Sequence, residues 1–231
     1  MNLWIVASML EELSLLLKAA RARLKGGVGG CPWFVGAMGR HTVTFGVAGV
    51  GVASACTTLG AFCGMTQPDF MVMVGSAGLL PDSGLRVGDM VVAETEILAE
   101  LGMVSGPGMG DTHGMNLPGV TQEIHLDQPF SSVLLDHAME IGKASYGRSL
   151  TVAGASANDG HACNRATKFR ALAENMEGYA VALAGQRFGF RTAEIRGISN
   201  RAGDRDKSHW DFEKAIVPPQ KVLLEYLRKN H

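Results

Sequence analysis

The sequence predicts an α/β protein, a three-layer sandwich with a central mixed sheet, and three observations carry that expectation. Short apolar runs bounded by Gly, Pro or polar residues alternate with stretches of helical length. Apolar residues make up 46% of 231 positions, enough for a substantial core, while 30 glycines and only 6% aromatics suit many tight turns around buried strands. The stretch Val52–Met65 is small and apolar throughout, as a helix packed on a sheet should be.

Taken in order, strands are expected at 3–7, 41–48 (HTVTFGVA), 69–74 (DFMVMV), 88–97, 149–154 and 193–198. Helices are expected from Leu10 to Leu24, where leucines at 10, 13, 16 and 17 form a stripe, and over Val52–Met65, 130–142, 174–187 and 212–229. Ser208-x-x-Asp211 resembles a capping box for the last helix. No repeat or linker divides the chain, so residues 1–231 are expected to form one domain. The irregular stretch 102–121 carries six glycines and two prolines, and is expected to be a loop over a ligand.

Composition excludes several function classes. With 21 basic and 22 acidic residues the formal charge is −1, which gives no case for binding nucleic acid or an anionic membrane. Cys31, Cys56, Cys63 and Cys163 form no CxxC pair; Cys56 and Cys63 read as small buried apolar groups, and neither a disulfide framework nor a metal site is expected. The N-terminus lacks a basic segment and meets Glu11 and Glu12 early, so it reads as a first strand and not a signal peptide. No apolar run approaches the ~18 residues of a membrane span. A cytoplasmic protein follows.

Five stretches could carry chemistry. Gly49-Val50-Gly51-Val52-Ala53-Ser54 follows a strand and opens a helix, echoing a dinucleotide fingerprint, but Ser54 replaces the third glycine and no acid stands at the usual distance. No organic cofactor is therefore expected. Gly75-Ser76-Ala77-Gly78 places small residues at a strand end, where a ligand can approach the backbone, although an ordinary tight turn has the same composition. In Glu174-Asn175-Met176-Glu177-Gly178 both glutamates suit a helix N-terminus, yet Glu177 sits among apolar residues, and a buried carboxylate needs partners such as a pair of sugar hydroxyls. Glu11-Glu12 follows the first strand, where one carboxylate could hold water. In TAEIRGISNRAGDRDKSHW, Asn200 ends an apolar run; it either turns the chain or offers a purine edge a donor and an acceptor.

WIVASMLEEL, GSAG, ENMEGYAVA and IRGISN occur in the order found in the purine nucleoside phosphorylase/nucleosidase superfamily, which the chain resembles over nearly its whole length, least in 100–145. It resembles most the hydrolase branch: futalosine hydrolases first, methylthioadenosine/S-adenosylhomocysteine nucleosidases next. In the adenine-specific members an Asp follows the late Ile-Ser and acts as the acid for the leaving base; here the position is Asn200. The resemblance implies that Glu12 activates water, that Glu177 accepts from the ribose hydroxyls, and that Asn200 contacts the base. It also implies that Ser76, Ala77, Gly78, Asn175, Met176 and Ser199 bind substrate. Asp204 and Asp206 are expected to be solvated loop charges. Phosphorolysis is not favoured: Arg21 and Arg23 are expected well inside the first helix, and Glu12 would repel phosphate. The expected reaction is hydrolysis of futalosine to hypoxanthine and dehypoxanthine futalosine, on the futalosine route to menaquinone. The alternatives are a methylthioadenosine/S-adenosylhomocysteine nucleosidase or a non-catalytic nucleoside-binding module. A homodimer or higher homo-oligomer is expected, with a small-molecule nucleoside as the ligand.

Overall fold

Alternation within the first strand sets the layering. In β1 (Leu3–Ala7), Leu3, Ile5 and Ala7 enter one core and Trp4 and Val6 another, and all five are buried. A strand buried on both faces requires cover on both sides. A computed structural model, describing residues 2–104, 109–112 and 118–229, supplies that cover. On one face lie α1 (Ser14–Ala19), α3 (Gln128–Ile141) and α6 (Phe212–Lys229), contributing Leu13 (just before α1), Leu16, Leu134, Val222, Leu223 and Leu227. On the other lie α2 (Val52–Met65) and α5 (Gly178–Phe188), contributing Ala55, Leu59, Phe62, Ala180, Val181 and Ala184. Each buried Leu or Phe side chain stabilises the fold by roughly 1.5–3 kcal/mol.

The remaining strands are β2 (Arg23–Val28), β3 (Cys31–Met38), β4 (His41–Val47), β5 (Phe70–Leu79), β6 (Met90–Leu98), β7 (Met103–Val104), β8 (Gly110–Asp111), β9 (Glu123–His125), β10 (Ala144–Thr151), β11 (Ala173–Asn175) and β12 (Arg191–Arg201); α4 spans Asp159–Phe169. The main sheet runs β11-β10-β6-β12-β5-β1-β4-β3-β2, with β9 added to β6. It is mixed, as expected. β1, β4, β5 and β12 run parallel, whereas β12 meets β6 antiparallel. An antiparallel pairing of β11 with β5 joins the sheet back on itself, so β5, β12, β6, β10 and β11 form a closed ring. The carboxyl ends of β1, β5 and β12 therefore open on the same edge, beside β11, and that edge holds the site.

Several expected elements are corrected. The first helix does not reach Leu24. A 3-10 turn (Leu10–Leu13) and α1 end at Ala19, Arg21 takes a positive φ of 46°, and Arg23 begins β2. The β2–β3 hairpin was unread although Gly29-Gly30, both at positive φ, is a two-residue turn of the kind hairpins favour. Residues 173–175 are strand and not helix; α5 begins only at Gly178. Ser208 does not cap α6. It lies in a 3-10 turn (Lys207–His209), while the Asp211 carboxylate accepts the Lys214 N–H at 2.9 Å. The whole of α4, capped by Asn158, was also missed. Of the stretch 102–121, residues 105–108 and 113–117 lie outside the described residues; of the remainder, Gly119 and Thr121 accept from Arg187 and Tyr179 of α5. No helix among the described residues is long and apolar enough to cross a membrane.

Candidate active site

The 3-10 turn after β1 carries Glu12 back beneath the strand ends, 1% exposed. Its two oxygens accept five hydrogen bonds. Oε2 takes the Ser8 N–H at 3.0 Å, the Ser8 hydroxyl at 2.5 Å and the Met9 N–H at 3.2 Å. Oε1 takes the Ser76 N–H at 2.9 Å and its hydroxyl at 3.1 Å. The second residue at this point is one that sequence reading missed: Arg196, fully buried in the middle of β12. Gly75 is where the two meet. A methyl group at position 75 would stand 2.8 Å from Glu12 Oε1 and 2.9 Å from Arg196 Nη1. Only glycine leaves room for both groups there.

Arg196 contacts two carboxylates and lies beside a third. Its Nε donates to Glu194 Oε1 at 2.7 Å, and Nη1 lies 3.5 Å from Glu177 Oε2 and 3.2 Å from the Ser76 carbonyl. Burial opposes its charge, but Glu194, Glu177 and Glu12 outweigh that, so the guanidinium is held more firmly protonated than usual. Glu177 is 4% exposed, and burial pushes its carboxyl above the ordinary range; Arg196 and the Gly51 N–H, at 2.9 Å from Oε1, pull the other way. The Gly49-Val50-Gly51 stretch thus lends its last N–H to a carboxylate, with Gly51 at a φ of 88°.

Neither glutamate of the ENMEG stretch caps α5. That is done by Asn175, whose Oδ1 accepts the N–H groups of Glu177 and Gly178 at 2.9 and 2.8 Å, and by Thr151, which accepts from the Tyr179 N–H. Asn175 Nδ2 turns inward to Glu96 and Ser149. Its amide is therefore engaged inside the protein, where it fixes the start of α5 and with it Glu177. Glu174 instead ends in a second buried network, accepting from Ser156 and from Arg165 Nη1 at 2.9 Å; Arg165 also reaches Glu100 at 3.0 Å. Sequence reading gave no role to Arg165 or Ser156.

A register shift between Ile198 and Asn200 puts a bulge at Ser199, which re-aims the side chains at the end of β12. Ser199 Oγ lies 2.7 Å from Asn200 Oδ1 and 3.2 Å from the Ala77 carbonyl. Asn200 Nδ2 donates to the Arg201 carbonyl at 2.9 Å, which accepts only and so fixes which end of the amide is nitrogen. One N–H and one lone pair remain for a ligand. Asn200 and Ser199 line a cavity of about 210 Å³ together with Ser76, Ala77 and Gly78, Asn175 to Glu177, Ser8, Met9 and Val50. Every substrate-contacting residue expected from the sequence except Glu12 borders this space; Glu12 sits behind Ser8, Met9 and Ser76, which do. Arg205 is the cation on the cavity wall among the described residues, its guanidinium 5.4 Å from the ring of Trp210, which also lines it. Asp204 and Asp206 flank Arg205 but turn to His209, at 2.8 and 3.8 Å.

A cavity at converging strand ends, one buried carboxylate in its wall and a second behind it with an arginine beside both, and a carboxamide at its side define an enzyme of the class that opens purine N-glycosidic bonds. The model of the Phosphorylase superfamily matches residues 2–228, and the chain belongs to that superfamily. It is 35% identical over 181 residues to a futalosine hydrolase of Acidothermus cellulolyticus, covering 77% of this chain and 72% of that protein. It is 31% identical over 188 residues to a futalosine hydrolase of Thermus thermophilus, covering 79% and 80%. In fold it is similar to the S-adenosylhomocysteine nucleosidase of Streptococcus pyogenes in complex with 5-methylthiotubericidin, with a TM-score of 0.86 at 24% identity, covering 99% of this chain and 97% of that one.

Proposed function

We propose that this protein hydrolyses the N-glycosidic bond of futalosine, releasing hypoxanthine. The observation that carries the reading is the oriented amide of Asn200 on the cavity wall. Its free N–H matches O6 of a 6-oxopurine and its free lone pair matches a protonated N7. The contact to O6 strengthens as negative charge builds on the departing base, which leaves as the anion; the contact from N7 forms once solvent has protonated that atom. An amide delivers no proton, so the arrangement suits adenine less well. Similarity to two futalosine hydrolases above 30% identity supports the same substrate.

Glu177 accepts the ribose hydroxyls and faces the cationic sugar carbon of the transition state, as carboxylates do in glycoside cleavage. Met176 packs on the sugar. Glu12, with five donors already on two oxygens, takes water's proton when the Ser8 or Ser76 hydroxyl rotates away, because hydroxyls turn and backbone N–H groups do not. Arg205 meets the charge that Asn200 leaves on the base.

The test is base release from futalosine, inosine and methylthioadenosine, each with and without phosphate. Hypoxanthine release from futalosine, indifferent to phosphate, is expected. Adenine release from methylthioadenosine with futalosine untouched would identify a methylthioadenosine/S-adenosylhomocysteine nucleosidase instead. Binding of all three with no base released would leave a nucleoside-binding module.

A further inference from the structure

Behind the Glu177–Arg196 pair lie two more carboxylates that the reaction does not use. Glu96 (β6) and Glu194 (β12) are fully buried neighbours in the closed ring of strands. Three of their four oxygens have donors: Asn175 Nδ2 at 2.8 Å from Glu96 Oε1, the Thr151 hydroxyl at 2.6 Å from Glu96 Oε2, and Arg196 Nε on Glu194 Oε1. The fourth, Glu194 Oε2, is buried with no partner. It is aimed at the same point as Glu96 Oε1: a methyl group at position 178 would stand 2.2 Å from the first and 2.4 Å from the second. An unpaired buried carboxylate oxygen facing another is costly unless a proton joins them.

We infer that Glu96 and Glu194 hold one proton between Glu96 Oε1 and Glu194 Oε2, and that this singly charged pair is a positioning unit for Arg196 and Asn175, and through them for Glu177. The proton supplies the donor that Glu194 Oε2 lacks. It also leaves Arg196 facing one shared negative charge on that side in place of two. Burial, then the charge of Glu194, pushes the Glu96 carboxyl well above the usual carboxylate range, in agreement. The charged groups around the pair are Arg196 on β12 and Glu177 at the start of α5, with Glu12 beyond Arg196; β10 presents Ser149 and Thr151, and β11 presents Asn175. The same contacts explain Gly178, since any side chain there would occupy the place where the two oxygens meet.

The proton assignment stands apart from the reaction, and its activity arm rests on the hydrolase reading. Glu194→Gln sets an amide N–H in the place of Glu194 Oε2, donating to Glu96 Oε1, while its oxygen still accepts from Arg196 Nε; at position 96 an amide nitrogen would face the Asn175 Nδ2 donor. Infrared spectroscopy of the wild type at pH 8 should show a carboxylic-acid C=O stretch that Glu194→Gln removes. The variant should fold and keep kcat/KM within about threefold, because an amide N–H replaces the acid O–H at little cost. The alkaline limb of its pH–rate profile should move upward, since an amide cannot lose the shared proton. No acid band in the wild type, a band that survives in Glu194→Gln, or a variant that fails to fold overturns the assignment. A variant that folds but is a hundredfold slower, or whose alkaline limb stays in place, overturns the positioning role. Absence of base release by the wild type would instead strike the reaction, leaving the infrared result to stand by itself.

Discussion

At the scale of single residues, chemistry depends on which neighbour each polar atom keeps. Asn200 has one end tied to Arg201 and the other touched by Ser199, so substitution changes proton supply more than position. Asn200→Asp should gain adenine release from methylthioadenosine by tenfold or more, since general acid catalysis contributes about 10²–10⁴. Hypoxanthine release should fall, because a carboxylate repels O6. Parallel assays of the two bases decide it; unchanged selectivity would remove Asn200 from base recognition. Glu177→Gln should lower kcat by about 10²–10³ through loss of charge facing the sugar cation, with circular dichroism unchanged. That Glu12, Glu177 and Asn200 lie at the strand ends around one cavity was legible because short motifs surround them. Arg196 was not: a single arginine inside an apolar strand is a signal only when someone asks what could pay for burying it, and its partners come from positions 12, 177 and 194.

Elements were legible where one periodicity runs unbroken, and not where a side chain overrides it. Residues 174–187 look helical throughout, yet Asn175 takes the N–H groups of Glu177 and Gly178 and so starts α5 at Gly178, leaving 173–175 to pair with β10 and β5. The helix after β1 fails early for a different reason: Gly36 of β3 lies against Ala20, so the chain must turn at Arg21 to enter β2. Asn175→Ala removes the cap and takes from Glu96 Oε1 its amide donor. It should cost about 2–4 kcal/mol in urea unfolding, the sum of a lost N-cap and an unsatisfied buried acceptor. Glu177 then keeps Gly51 and Arg196 but loses the anchor on its own N–H, so KM for the nucleoside should rise beyond what lost stability explains. A loss below about 1 kcal/mol would show that Thr151 alone starts the helix.

For the whole molecule, buried acids decide how stability follows pH. The layered core was readable from apolar runs, but the closure of β11 on β5 was not, because pairing of distant three-residue segments leaves no local pattern. That closure encloses Glu96 and Glu194 and helps bury Glu177. Burial holds both Glu96 and Glu177 above the ordinary carboxylate value. Below that value folded and unfolded chains are equally protonated at these sites, and the contribution is fully present. As pH rises past it, the unfolded chain releases protons that the folded chain keeps, so stability falls until the folded groups also ionise. Asp204, Asp206, Asp211 and Glu140 are shifted downward and act in the opposite sense at acid pH, but they lie at the surface, where solvent screens them. Urea unfolding should therefore show greater stability at pH 5 than at pH 8. The double variant Glu96→Gln/Glu177→Gln should flatten that slope, because neither amide carries a proton to lose. A wild type that gains stability from pH 5 to 8, or a double variant with an unchanged slope, would mean that these carboxyls fold already ionised, with Arg196 alone sufficient to hold them.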